Sequence, residues 1–353
     1  MRKSKWIEVR SPQEPVETVA RRALDVRLRL VWHYLHLAAT KADEDVEHVH
    51  QLRVSTRRAV ATMETFSNLL PPKRALWMEK QLKRVRQAAG DARDLDVLVD
   101  RLRKLAESES ITTFEPLLES LERERRNAQE PIEQVYKKLD RKNFPRRKRG
   151  LIKRARLRTK VDKLSRPTFE CAARKALRPL VDDFFIAAAA DFTDYHALHA
   201  FRIQGKQLRY AMEIFAGAFD KRFQERLYPI VESLQEKLGE INDHAAAKAR
   251  FEPQLSETSD PELREALAAI CAHESQAIEE SRSKFLAWWT ADRSRDLRRR
   301  FDNILSLDAC LSGNEHELAA SPEPHAQKSA APPGDGHTSS PAVQKSTAPK
   351  GAS

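Results

Sequence analysis

The sequence predicts an all-α protein, and two observations support this prediction. Apolar residues recur every three or four positions along most of the chain instead of alternating, which is the period of a helix that buries one face. Glycine is scarce outside the C-terminal tail, and 33% of the residues are charged. At 353 residues, the chain is long enough for roughly two domains and a sizeable core.

The apolar period and the helix-terminating residues predict four helices in each half of the chain. In the first half, Asp45 can cap the second helix, Pro71 and Pro72 end it, and Pro131 can interrupt the fourth. Asp194 occupies the corresponding capping position in the second half. We therefore expect one four-helix bundle in each half. The expected helices cover about residues 15–39, 46–70, 74–108 and 116–142, then 167–190, 195–219, 221–250 and 261–305.

Segments of different composition flank and separate the two expected bundles. Residues 141–160 hold eleven Lys or Arg and no acidic residue, which equals the formal net charge of +11 of the whole protein. Beyond about residue 312 the chain is rich in Ser, Ala, Pro and Gly, so a disordered tail is expected. The expected organisation is an N-terminal arm (1–14), a helical domain (15–305) that contains bundle one (about 15–142), a basic linker (about 141–166) and bundle two (about 167–305), and a tail (312–353).

The net charge of +11 and the isoelectric point near 9.6 predict a polyanionic partner, such as nucleic acid, a phosphate polymer or an acidic membrane surface. The first ten residues lack the apolar run of a secretory signal, and the longest apolar run, at 184–190, is too short to span a bilayer. Cys171, Cys271 and Cys310 lack metal-like spacing and are expected to be ordinary thiols. We expect a cytoplasmic protein with no membrane insertion, no metal and no cofactor.

The most informative feature is an internal repeat with an offset of 149 residues, seen when His199 is aligned with His50. VHQLRV at 49–54 returns as LHAFRI at 198–203, and the offset holds without a gap through the rest of the helix and into the next one. A duplicated unit with one His and several basic residues implies two half-sites that face one anionic ligand. Each copy has a core stripe at helical spacing: Val49, Leu52, Thr56, Ala59, Met63, Phe66 and Leu70, and then Leu198, Phe201, Gly205, Leu208, Met212, Phe215 and Phe219.

A cationic stripe runs one residue round from each core stripe. Successive members rise about 5 Å per helical turn, so each stripe could follow an extended chain of phosphates. Arg suits this role because its planar fork can contact phosphate oxygens bidentately. Such stripes are more often a solvated helix flank, and a His beside a core is usually a packing residue, but recurrence at a fixed offset favours ligand binding. The members are His50, Arg53 and Arg57 in the first copy and His199, Arg202, Lys206 and Arg209 in the second.

The third helix of each half gives a weaker signal. Gly90 and Gly239 interrupt good helical sequence at a cost near 1 kcal/mol relative to Ala, which close approach of another helix or of a ligand would explain. Asp94 and Asp243 recur and could hold an Arg or His of the stripe in place, although a purely structural salt bridge is the simpler role. Three flanking residues are basic only in the first copy: Lys83, Arg86 and Arg93.

The chain resembles the CHAD family, the conserved histidine α-helical domain proteins, over roughly residues 15–305. The motifs that carry the resemblance are VHQLRV at 49–54 with Arg57 and Arg58, GDARDLDV at 90–97, the second-half copy at 198–210, and LGEIND at 238–243. The resemblance implies two four-helix bundles related by a pseudo-twofold axis, which enclose a basic cleft. It also implies binding of long-chain inorganic polyphosphate, and association with polyphosphate granules, and so with granule-associated proteins, in bacteria.

Two departures from the family pattern bear on these expectations. Val60 stands where Arg209 stands in the second half, so the first cationic stripe is one member shorter. Some relatives carry a fused triphosphate-tunnel (CYTH) phosphatase domain, and nothing in this sequence could encode that β-barrel. The chain is therefore expected to be the stand-alone form.

The leading hypothesis from the sequence is a non-catalytic polyphosphate-binding protein whose affinity falls with salt and rises as the histidines protonate. The alternative is nonspecific RNA or DNA binding through the basic run at 141–160, although few aromatic residues accompany its charges. A phosphohydrolase is disfavoured because no clustered metal-ligand motif or Gly-rich phosphate loop is present. The expected binding residues are His50, Arg53, Arg57, Arg58, Lys83, Arg86, Arg93, His199, Arg202, Lys206 and Arg209.

Overall fold

The first half of the chain folds into a series of helices joined by short turns. A computed structural model describes residues 5–42, 44–109, 114–157 and 166–306. Within the first three of these ranges, every regular element is helical. The helices are α1 (Val16–Thr40), α2 (Glu47–Thr65), α3 (Pro72–Ala88), α4 (Gly90–Glu109), α5 (Glu115–Asn127), α6 (Glu130–Arg141) and α7 (Phe144–Ile152).

The second half continues in the same way, with longer helices. Side chains cap four of these helices at the N-terminus. Thr168 accepts from the backbone N–H of Cys171, Asp194 from that of His196, Asp260 from those of Glu262 and Leu263, and Thr290 from that of Arg293. A short π-helical segment (Phe223–Leu227) leads into the third helix of this half. The helices are α8 (Phe169–Ala188), α9 (Tyr195–Phe215), α10 (Tyr228–Glu257), α11 (Pro261–Trp288) and α12 (Ala291–Leu305). The predicted all-α class is confirmed for the described residues.

Three of the predicted helices are divided in the structure. The helix expected at 74–108 breaks at Ala89, which ends α3, and Gly90 starts α4. The helix expected at 116–142 breaks at Ala128–Gln129, just before Pro131 in the first turn of α6. The helix expected at 261–305 breaks at 289–290, where Thr290 caps α12. A residue at or beside each break explains it, because a glycine, a proline or a side-chain cap favours a helix boundary there.

Three clusters of buried apolar side chains form the core. One joins the N-terminal part of α1 to the second half, including α8, α9, α12 and the start of α10. Another joins the C-terminal part of α1 to α2, α3, α6 and α7. The last cluster combines α4 and α5 of the first half with the C-terminal part of α10 and the N-terminal part of α11 from the second half. The two halves therefore share core, and the pseudo-twofold pair of four-helix bundles stays a prediction.

The segment expected to be a basic linker contains α7. Phe144 and Leu151 of this helix and Ala155 after it are buried against α1, α3 and α6. Asn143, in the left-handed region with a φ of 52°, caps α7 by accepting from the backbone N–H of Arg146. Arg158 and Lys160, the last two cations of the basic run, lie outside the described residues.

The described part of the expected N-terminal arm packs onto the second half. Ile7 is buried, and the Trp6 ring meets Tyr228 edge to face at 4.7 Å. The Nζ of Lys5 lies 2.8 Å from a carboxylate oxygen of Glu232 on α10. The backbone carbonyl oxygen of Lys5 accepts a hydrogen bond from the Arg27 guanidinium. The arm is therefore held in place by packing as well as by charge.

The expectation of three ordinary thiols is wrong for Cys171, which is disulfide-bonded. Cys271 is a buried free thiol, and Cys310 lies outside the described residues, as does the tail at 312–353. Sequence spacing could not decide the state of Cys171, because disulfide formation depends on three-dimensional proximity. Of the helices described, none has both the length and the apolar character that a membrane span requires.

Candidate anion-binding site

The two motif helices, α2 and α9, pack against each other. Their core stripes are buried as the sequence predicts, with only Phe219, beyond the end of α9, partly accessible. Phe66 and Phe215, which are equivalent in the repeat, meet edge to face with ring centroids 6.0 Å apart. Since each core stripe faces inward, the neighbouring cationic stripes are carried to the border between the two helices.

Seven of the predicted site residues form one electrostatically coupled group at this border, which we call the cleft cluster. The charge of Arg57 on α2 acts on Arg202 and Lys206 on α9, which links the two copies of the repeat. Within the first copy, the charges of Arg93, Arg57 and Arg53 act on His50. The cleft cluster consists of His50, Arg53, Arg57, Arg93, Arg202, Lys206 and Arg209.

Arg57, Arg202 and Lys206 make no ion pair with any residue that the structure describes, whereas Arg53, Arg58 and Arg209 each do. The Nε of Arg202 is buried without a hydrogen-bond partner. Burial, followed by the charges of Arg202 and Arg57, lowers the pKa of Lys206 to about 7. Burial also lowers the pKa of Arg202, with Asp243 opposing the shift and Arg57 adding to it. Cations brought together from two helices without an ion-pair partner form a site suited to an anion.

Arg53 is fixed by neighbours from the start of α4. Its Nη1 donates to the carbonyl oxygen of Gly90 at 2.7 Å and to the carboxylate of Asp94 at 2.8 Å. The predicted holding role of Asp94 is thus seen for Arg53. In the second copy, Asp243 acts on Arg202 through its charge only, and no ion pair joins these two residues. The two halves of the repeat have therefore diverged in how their Arg is positioned.

Arg58 lies in a buried polar group below the cleft cluster. Its Nε and Nη2 donate to the two carboxylate oxygens of Glu213 on α9, at 2.6 and 3.0 Å, and the Tyr228 hydroxyl donates to Glu213 at 2.9 Å. Burial lowers the pKa of the nearby Arg27 to about 10, and the charge of Glu213 opposes that shift. This geometry gives Arg58 a role in joining the two halves, and its contact with a ligand stays a prediction.

The sequence had shown only that Glu213 recurs, as the equivalent of Glu64, with no sign of its part in this junction. The sequence signal for this junction is the Glu213 carboxylate, because an acid on the buried face of a basic helix requires cationic partners. Arg209 also approaches Glu213, at 3.7 Å, and its guanidinium stacks over the ring of Tyr210 at 4.9 Å.

The remaining predicted residues lie further from the cluster or contribute differently. Lys83 and Arg86 on α3 and His199 on α9 are exposed. Their charges are not among the main causes of the pKa shifts of His50, Arg202 and Lys206. Burial and the charge of Arg93 lower the pKa of His50, so this ring carries little positive charge at neutral pH without an anion beside it.

Gly90 and Gly239 border open space. A Cβ at either position would meet nothing within 4 Å, so close approach of another described helix does not explain these glycines. Gly205 differs, because a Cβ there would overlap the side-chain amide of Gln235 and lie 3.2 Å from Leu234. Gly205 therefore permits the close packing of α9 on α10, while ligand approach remains the open explanation for the other two.

The described residues contain no group of three or more His, Cys, Asp or Glu side chains that could hold a metal ion. The recurring acids Asp94 and Asp243 are exposed, and Asp94 is engaged by Arg53. The arrangement can therefore bind and neutralise an anion through cations supplied by two helices.

Comparisons with known proteins agree with this architecture. The family model described as "CHAD domain" matches residues 22–252. The crystal structure of the CHAD domain from the plant Ricinus communis is similar with a TM-score of 0.63 and 19% identity, covering 85% of this chain and 96% of that one. PptA from Streptomyces chartreusis gives a TM-score of 0.57 and 18% identity, covering 80% of this chain and 100% of that one. The comparison with curated proteins found no match.

Proposed function

Since the chain belongs to the CHAD domain family, we propose that it binds long-chain inorganic polyphosphate in the cleft between α2 and α9 without turning it over. The family is linked to polyphosphate binding. The proposed contacts come from the cleft cluster, with Arg57, Arg202 and Lys206 at its centre. Arg53 and Arg93 extend the site along the α4 side, and Arg209 extends it along α9.

The observation that carries the proposal is the desolvated, unpaired state of the three central cations. Like charges held close together in a partly buried site repel one another. The pKa of Lys206 is lowered first by burial and then by that repulsion. A polymer with one negative charge or more on every phosphate would relieve the repulsion along its whole length, and the two helices offer contacts on both of its sides.

A binding role without catalysis is supported by the chemistry of the site. Catalytic metal sites require several anionic or neutral ligands together, whereas the cleft cluster consists of cations and one histidine. We expect no release of orthophosphate when the purified protein is incubated with polyphosphate and Mg²⁺ or Mn²⁺. Turnover in that assay would contradict this part of the proposal.

Inorganic polyphosphate is favoured over nucleic acid because few of the described aromatic rings near the basic groups present an open face, with the exposed Tyr195 beside Arg202 as an exception. Tyr210 lies beneath Arg209, and Phe144 is buried in the core. Proteins that bind single-stranded nucleic acid usually present open aromatic faces for the bases. Nonspecific contact of RNA or DNA with the basic surface remains the alternative that the binding assay tests.

The test is binding of long-chain polyphosphate to the full chain at physiological salt, with RNA and duplex DNA as competitors. The decisive variant is Arg57→Gln/Lys206→Gln, because neither side chain has an ion pair with the described residues whose loss could unfold the protein. Each charge-assisted contact is worth about 1.5–3 kcal/mol, so we expect at least about a hundredfold loss of affinity. Far weaker competition by RNA and DNA than by unlabelled polyphosphate is also expected.

A charge-matched control is Arg295→Gln/Arg299→Gln on α12, which removes two cations whose side chains are each 74% exposed. This control should bind polyphosphate nearly as tightly as the wild type. Equal losses in both double variants would show that net charge, and not the cleft, determines binding. Equal competition by RNA would favour the nucleic-acid alternative.

Binding of this kind suits a cytoplasmic protein that attaches to or organises polyphosphate granules, alone or with granule-associated proteins. The localisation test is a fluorescent fusion in cells that accumulate polyphosphate. We expect the wild type to colocalise with granules and the Arg57→Gln/Lys206→Gln variant to be dispersed.

A further inference from the structure

The molecule has a second basic concavity, formed around α7 and away from the cleft cluster. A pocket of about 670 Å³ is lined by Arg141, Lys142, Asn143, Arg146, Arg147 and Gly150, together with Arg74 and Arg154. A neighbouring pocket of about 490 Å³ shares Arg154 and adds Lys153, Arg156, Leu69, Pro71 and Pro72. We call the two adjoining pockets the α7 groove. No acidic residue lines either part.

Most of the cations in the α7 groove lack a counter-ion among the described residues. Lys148 pairs with Asp25 at 2.7 Å, but Lys148 does not line the groove. The groove cations are exposed and come from three stretches of chain: the end of α6, α7 with the turn after it, and the start of α3. Such a concentration of one sign of charge around a concave surface favours a bound polyanion.

Part of the groove wall is held rigid by the fold. The Nε of Arg147 donates to the carbonyl oxygen of Lys142 at 3.0 Å, and its guanidinium lies over the Trp77 ring at 4.6 Å. Asn143 fixes the turn between α6 and α7 through its cap and its left-handed backbone. The guanidinium of Arg74 lies so close to Gly150 that a Cβ at that position would come within 2.8 Å of its Nη1. Arg147 and the turn at Asn143 are thus positioned before any ligand arrives.

The covered aromatic ring indicates the class of ligand. Trp77 is stacked beneath Arg147 and packs against Phe144, so it offers no open face to a nucleic-acid base. What the groove does offer is a row of guanidinium and ammonium groups, which recognise phosphate oxygens. An extended chain of condensed inorganic phosphate fits this chemistry better than a nucleic acid.

We propose that the α7 groove is a second binding site for condensed inorganic phosphate, separate from the cleft cluster. The groove shares no lining residue with the cleft cluster, and its central helix α7 packs mainly on α1 and α3. The groove would bind such a chain even if the cleft did not, so this inference does not rest on the function proposed for the cleft. If both sites bind, one protein holds two segments of polymer and gains avidity from their linkage.

The test is calorimetric titration of the full chain with sodium tripolyphosphate, a probe too small to report avidity. The wild type should show two classes of site. The groove variant Arg146→Gln/Arg154→Gln should lose one class, with its affinity weakened about tenfold or more, and should keep the other. The cleft variant Arg57→Gln/Lys206→Gln should show the opposite pattern.

The outcomes separate the two proposals. A groove variant that titrates like the wild type, or a cleft variant that binds no tripolyphosphate at all, would overturn the groove as a second site. A cleft variant that titrates like the wild type would instead contradict the cleft. Displacement of tripolyphosphate from the groove by an equal charge concentration of single-stranded RNA would overturn the assignment to condensed phosphate. The Arg295→Gln/Arg299→Gln control should retain both classes of site.

Discussion

Lys206 has Arg57 and Arg202 as its charged neighbours, and its environment changes its chemistry more than its sequence position suggests. Burial and these two charges lower its pKa to about 7, Arg209 adds to the shift, and Asp243 opposes it. An ordinary Lys is almost fully charged at neutral pH. In the free protein, by contrast, Lys206 is close to half protonated there, and a bound polyanion favours its charged form.

This predicts that polyphosphate affinity falls as pH rises from about 7 to about 9. Below the free-state pKa, Lys206 is protonated with and without ligand, so this group leaves affinity unchanged. Above it, binding requires uptake of a proton, and one group can lower affinity by up to about tenfold per pH unit. The measurement is affinity against pH at constant ionic strength. His50, whose pKa is also lowered, adds a further gain only at acid pH.

The matched variant for this prediction is Lys206→Arg, which keeps the charge but does not titrate in this range. We expect its affinity to vary little between pH 7 and pH 9. An unchanged pH dependence in Lys206→Arg would mean that another group takes up the proton.

Glu213 carries a second prediction at the residue scale. This carboxylate is 1% exposed and is the anionic partner of Arg58. Glu213→Gln should lower the free energy of unfolding by about 3–5 kcal/mol, because it leaves a partly buried guanidinium without its counter-ion. Chemical denaturation measures this loss.

The control is Glu64→Gln at the equivalent position of the first copy. Desolvation and the nearby Glu79 raise the pKa of Glu64, so its charge adds nothing to stability. This variant should be as stable as the wild type or slightly more so. Equal destabilisation of both variants would contradict the special role of the Arg58–Glu213 pair.

At the scale of the helices, the repeat determines which residues occupy equivalent positions, and helix packing determines the structural role of each residue. Gly205 in α9 permits the approach of α10, and Gln235 of α10 donates from its side chain to the carbonyl of Arg202 at 3.2 Å. Gly239, in the interior of α10, faces open space. Of these two helical glycines, Gly205 has no room for a side chain, whereas Gly239 has room for one.

Substitution by alanine should separate these two glycines. Gly205→Ala should cost about 1–3 kcal/mol, because its Cβ displaces Gln235 and presses on Leu234. Gly239→Ala should stabilise the protein by up to about 1 kcal/mol through improved helix propensity. The denaturant midpoints of the two variants show whether each substitution lowers or raises stability. A destabilised Gly239→Ala would mean that some contact at this position is essential to the fold.

At the scale of the whole molecule, the positive charge is divided between two surfaces. The cleft cluster lies between α2 and α9, and the α7 groove lies on α7 and its neighbours. The N-terminal arm stabilises the second half, since Lys5 pairs with Glu232. Glu232 stands at the position equivalent to Lys83, so this part of the repeat bears opposite charges in the two halves.

This distribution predicts the salt dependence of polyphosphate binding. By analogy with single-stranded nucleic acid, each cation that neutralises a phosphate contributes about 0.7 to the slope of log affinity against log salt. Removing two cleft cations in Arg57→Gln/Lys206→Gln should reduce the slope by about 1.4 units. The control Arg295→Gln/Arg299→Gln should keep the slope of the wild type, and a similar reduction there would indicate diffuse attraction to net charge.

The sequence by itself determined the helical class, the core stripes and the position of the cationic stripes. The helical class and the core stripes follow from the apolar periodicity along each helix. The cationic stripes follow from comparing the two copies of the repeat. Val49 and Leu198, for example, are buried as their spacing predicts. The sequence also marked the basic run, although it did not show that α7 forms within it.

Only the tertiary structure decided which cations are free to bind. Arg57 and Arg58 are adjacent in sequence, yet Arg58 is bound to Glu213 from the other half, while Arg57 faces Arg202 and Lys206. The disulfide at Cys171 likewise depends on three-dimensional proximity. Pairing and desolvation arise only when helices pack, and so the local pattern located the charges while the packing set their chemistry.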